Sequence, residues 1–79
     1  MSASKKPAKL ELPVWLTPEG EKLSCVEKIK VLNENLQEIQ EMAQEALEDA
    51  ILMGGDERQF RAVLLRLAES LVNPYKKSE

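Results

Sequence analysis

Five glutamates, Glu34, Glu38, Glu41, Glu45 and Glu48, recur at spacings of four, three, four and three, the register that lines side chains along one face of a helix. Carboxylates facing one another in a helical bundle can hold two iron or manganese ions, but that chemistry draws on inward-pointing Glu-x-x-His motifs, and the chain has no histidine. A metal-binding or storage bundle, with carboxylates converging from several subunits, is therefore an alternative reading and not the first. The first is a solvated face. Like charges four apart on a helix repel by about 0.2–0.5 kcal/mol each, which Arg58, Arg61 and Arg66 are placed to relieve within the chain or across a dimer. A basic partner docked on the ridge would relieve it equally.

The nucleophiles lead no further. Cys25 has no histidine to activate it, and Ser70, between Glu69 and Leu71, has neither an evident base nor an oxyanion arrangement. Gly54-Gly55 is too short to cradle phosphate, and a helix cap accounts for it. Without histidine, phosphotransfer through a bundle imidazole is also excluded. The sequence thus predicts a protein that is not an enzyme, with no cofactor and no small-molecule substrate.

The glutamate ridge needs a long helix to carry it, and the sequence supplies one over 24–53. Ser24-Cys25-Val26-Glu27 has the capping-box pattern, a serine followed three residues later by a glutamate. From there Cys25, Ile29, Leu32, Leu36, Ile39, Ala43, Ala46, Ala50 and Met53 alternate spacings of four and three without a polar interruption, which is a heptad seam. Glu, Gln, Lys and Asn fill the intervals, and no Gly or Pro occurs before Gly54. The seam is bulky in its first half and alanine-rich in its second, where Met42, Leu47, Ile51 and Leu52 widen the apolar face. A face that wide is expected against more than one neighbour.

Gly54-Gly55 breaks the run, and Asp56 with Gln59 at the capping-box position opens a second helix over 56–72. Phe60, Leu64, Leu67 and Leu71 form its apolar stripe, with Val63, Ala68 and Val72 beside them, and Pro74 disfavours helical geometry at Asn73. So short a connection predicts an antiparallel αα-hairpin. The fold expected is all-α: a long helix and a shorter antiparallel one, preceded by a short extended and turn-containing segment.

That segment is 12–23. Thr17-Pro18-Glu19-Gly20 suits a type I turn, with proline at its second position and glycine at its fourth. Alternation puts Val14 and Leu16 on one side and Trp15 on the other. Trp15 is the chain's one tryptophan; it reads either as a lid over the helix start or as an anchor for a partner, a role in which tryptophan is enriched. Residues 1–11 read as a disordered tail and 73–79 as a polar C-terminal tail. In the first, Lys5, Lys6 and Lys9 would serve an acidic partner or, in a further alternative, the DNA-bound arm of an antitoxin-type regulator.

Composition narrows the partners. Eleven basic against fourteen acidic residues give a net charge of −3, and no Lys/Arg stripe follows a helix, so nucleic acid is not the expected partner. No apolar run approaches the roughly 18 residues that span a membrane. A lone cysteine favours a reducing compartment, and the expected location is cytoplasmic.

At 79 residues one core supplies only a few kcal/mol unless something reinforces it. The second helix, at about 24 Å, reaches back only to about Ile39. Ile29, Leu32 and Leu36 then need another cover, and the candidates are the Val14-Trp15-Leu16 segment or a second copy, the latter meeting the chain along Cys25, Ile29, Leu32, Leu36 and Ile39. The continuous seam favours a homodimer, with two hairpins forming a four-helix bundle. The sequence therefore predicts a small intracellular interaction module that self-associates through its long helix and serves as an accessory, assembly or regulatory subunit. Trp15 and the ridge Glu34, Glu38, Glu41, Glu45 and Glu48 are the places where a further protein would dock.

Overall fold

The computed structural model describes residues 9–75. Lys5 and Lys6, and the residues after Tyr75, lie outside that range. The protein is all-α, with α1 at Val26–Leu52 and α2 at Glu57–Glu69. No strand occurs among the described residues, where the extended segment contributes one isolated bridge, Leu16 to Lys22.

The chain divides into two compact units, one running to Ala46 and the other from Leu47 onward. The first holds the turn segment and most of α1. Thr17 to Gly20 forms the expected turn: the Gly20 N–H donates to the Thr17 carbonyl at 2.9 Å, and the Thr17 N–H donates to the Glu21 carbonyl at 2.7 Å. Gly20 closes the turn at φ +90°, a left-handed conformation that a side chain would strain. The Leu23 N–H then donates to the Trp15 carbonyl at 2.8 Å, which extends the pairing back along the chain.

Helix α1 begins with the Cys25 carbonyl accepting from the Ile29 N–H at 3.0 Å. Glu27 sits in its first turn, where the helix dipole favours a negative charge. The run from Val26 has no glycine or proline, and its straight-chain Glu, Gln, Lys and Leu residues lose little freedom in a helix.

The second unit holds the last turns of α1, the two-glycine turn and α2, which together make the αα-hairpin. Gly54 adopts φ +90°. Its N–H donates to the Ile51 carbonyl at 3.0 Å, and the Gly55 N–H donates to the Ala50 carbonyl at 2.7 Å. This is the Schellman pattern, in which two amides beyond the helix satisfy carbonyls of its last turn. Asp56 then caps α2, its carboxylate accepting from the Gln59 N–H at 2.7 Å.

Helix α2 ends at Glu69, short of the Val72 expected from the sequence. The Ser70 N–H is shared between the Arg66 and Leu67 carbonyls, and the Leu71 N–H turns to Ala68, three residues back. The final turn thus tightens before Pro74 can act. Asn73 continues the turn by accepting from the Tyr75 N–H through its side chain at 2.8 Å.

Candidate functional site

The heptad seam of α1 divides lengthwise. Ile29, Leu32, Leu36 and Ala43 are half-buried. Ile39 is 62% exposed, Met42 is 73% exposed, and Ala46 is also exposed. Residues at i, i+3 and i+7 share a face, so Ile39, Met42 and Ala46 make an apolar stripe open to solvent. The second set of partners expected for a wide apolar face has this stripe to occupy.

The turn segment meets α1 at Asn33. Trp15 Nε1 donates to Asn33 Oδ1 at 2.7 Å, tying the indole to the second turn of α1. Trp15 is half-buried, whereas Val14 and Leu16 face solvent, as strand alternation requires. Leu23, Cys25, Val31 and Leu32 line an open, largely apolar groove edged by Glu27 and Lys28. Of the residues expected at an interface, Ile29, Leu32 and Leu36 are therefore partly covered within the chain, while Cys25 and Ile39 are exposed. Asn33 is the residue that pattern reading missed. In sequence it is one polar filler among many, and only the fold puts the indole within its reach.

The ridge follows its helical register. Glu34, Glu38, Glu41 and Glu45 are exposed, and Glu48 is half-buried. Among the described residues, no group of three or more carboxylate or thiol side chains converges closely enough to hold a metal ion. Two of the glutamates, Glu38 and Glu45, stand four before and three after Met42 and so flank the apolar stripe on one side.

Helix α2 presents a second open apolar surface. Phe60 is half-buried, but Val63, Leu64 and Leu67 on the same face are exposed, Leu67 at 54%. Arg61 is engaged within α2, its Nε donating to Glu57 at 3.0 Å. Arg66, three residues after Val63 and thus beside it on the helix surface, is exposed. The two open apolar surfaces therefore carry flanking charges of opposite sign.

No side chain among the described residues is fully buried, polar or apolar. No helix among them is long and apolar enough to cross a membrane. Comparison of the chain with protein-family models, with curated proteins and with solved structures finds no match.

Proposed function

We propose that the protein is a small helical interaction module that self-associates through α1 and works as an accessory, assembly or regulatory subunit without catalytic activity of its own. One observation carries this reading: two helices bear bulky apolar side chains, yet no side chain among the described residues is buried. Burying one such side chain contributes about 1.5–3 kcal/mol, while fixing the backbone costs about 1–2 kcal/mol per residue. A chain that leaves Ile39, Met42, Leu65 and Leu67 mostly in water gives up much of what ordinarily offsets that cost. Association with a second copy supplies the missing burial, and closed two-fold pairs are the commonest form of self-association.

Sedimentation equilibrium over a wide concentration range, repeated with Ile39→Glu, tests the reading. The expected result is a dimer or larger assembly that dissociates in the variant. A wild-type chain that stays monomeric throughout, with an unfolding temperature independent of concentration, would refute it.

The line of exposed glutamates favours a second reading, a basic protein docked along Glu34, Glu38, Glu41 and Glu45. Such a contact would weaken steeply with added salt. Binding of a lysine-rich peptide that is insensitive to salt, or no binding at low salt, counts against it.

A further inference from the structure

Resting on the self-association just proposed, we infer that the occupant of the exposed α1 stripe is α2 of a second copy, so that unlike helices meet across the two-fold axis. The stripe Ile39, Met42 and Ala46 and the open face of α2 around Val63 and Leu67 are both apolar and both exposed among the described residues. Apolar match alone would permit three pairings: α1 on α1, α2 on α2, or α1 on α2. Among antiparallel pairings, charge selects. Pairing α1 with α1 brings Glu38 and Glu45 of one copy toward the same glutamates of the other in every antiparallel register that stacks the stripes. Pairing α2 with α2 does the same with Arg66. Pairing α1 with α2 sets Glu38 and Glu45 against Arg66, and the two-fold axis repeats the contact. Like-charge juxtaposition suppresses wrong pairings, and opposite charges at the rim fix the right one.

The pairing also gives the Arg66 guanidinium a carboxylate partner. Arg61 already has one in Glu57, so Arg66 is the side chain whose charge is placed to read the second copy.

Charge reversal with remixing tests this. Glu45→Arg and Arg66→Glu are made separately, helicity is checked by circular dichroism, and each is examined by sedimentation equilibrium alone and as an equimolar mixture. Each variant alone should associate about tenfold more weakly than wild type, because the opposed charges now match in sign. The mixture should recover wild-type affinity, since each α1 then meets an α2 of opposite charge. Association of the mixture no tighter than that of its components would overturn the inference. So would tightening by Glu45→Arg alone, which would point to α1 on α1. Both results leave self-association standing, whereas a monomeric wild type removes both proposals together.

Disulfide trapping gives a second, geometric readout. In a Cys25→Ser background, chains carrying Met42→Cys are mixed with chains carrying Leu67→Cys and oxidised with glutathione. Cross-links between unlike chains should predominate; predominance of either like-chain dimer would contradict the pairing.

Discussion

Replacing Asn33 by alanine removes the acceptor for the Trp15 indole without touching the indole itself. The bond is 2.7 Å long and joins two half-buried side chains eighteen residues apart, so it ties the turn segment to α1 across a loop. A net contribution of about 0.5–1.5 kcal/mol is ordinary for such a bond, and stranding a partly desolvated N–H places the cost toward the upper end. For a chain of this size about 1 kcal/mol corresponds to a fall of about 4–8 °C in Tm. Alanine also has a higher helix propensity than asparagine, which returns up to about 0.7 kcal/mol and leaves a smaller net loss. Asn33→Asp is the control. It keeps an acceptor at the same place, makes it charged, and sets it three residues after Lys30, a favourable spacing. The single tryptophan makes its fluorescence a direct assay: Asn33→Ala should shift emission to the red and lower Tm, whereas Asn33→Asp should do neither. Equal behaviour of the two variants would mean that the hydrogen bond does not hold the segment, and the account of the covered side of α1 would fail.

The turn and caps give further outcomes. Gly54→Ala should cost about 1–2 kcal/mol because φ is +90°, although open space surrounds the position; Gly54→Asn should cost less, since asparagine tolerates that conformation, and urea unfolding that ranks them the other way would count against the assigned cap. Gly55→Ala should destabilise for a different reason: its Cβ would sit 3.0 Å from the Ala50 carbonyl oxygen, which is already held by the Gly55 N–H. Asp56→Ala should remove about 1 kcal/mol from α2, seen as faster hydrogen exchange at Gln59. Arg61→Ala should change stability by no more than about 0.5 kcal/mol, because the Glu57 pair is exposed and screened; a larger loss in thermal unfolding would show that Arg61 has a role beyond that pair.

Much of the fold was legible because it is written in local rules. The uninterrupted seam and the absence of breakers mark α1, two glycines before an aspartate mark the connection, and a proline and a glycine at fixed offsets mark the turn at Thr17 to Gly20. Helix ends were less legible. At Ser70 the choice between carbonyls three and four residues back ends α2 before any breaker residue is reached. The candidate surface was half legible. Heptad spacing identifies the seam of α1, though not Val31 or Met42 beside it, and cannot say which seam positions are covered; the hydrogen bond from Trp15 fixes where the turn segment lands, and its acceptor Asn33 carries no pattern of its own.

That division bears on how the proposed association would work. Had the turn segment been absent, Leu32 and Leu36 would belong to the same open face as Ile39, and a continuous stripe along α1 would invite pairing with an identical helix. With Trp15 fixed at Asn33, the bulky first half of the seam is partly occupied, and the open surface shifts to Ile39, Met42 and Ala46, next to Glu38 and Glu45. An open stripe edged by carboxylates is poorly matched to itself and well matched to the Arg66 side of α2. The turn segment is thus more than a lid in this scheme: by covering one side of the seam it determines which helix of a second copy fits the other. Deleting the indole with Trp15→Ala should therefore do more than lower stability. It should weaken the charge dependence of association, so that the Glu45→Arg and Arg66→Glu mixture no longer regains what each variant alone has lost. Full recovery by the mixture in the Trp15→Ala background would separate the two surfaces and show that the segment has no part in choosing the partner helix.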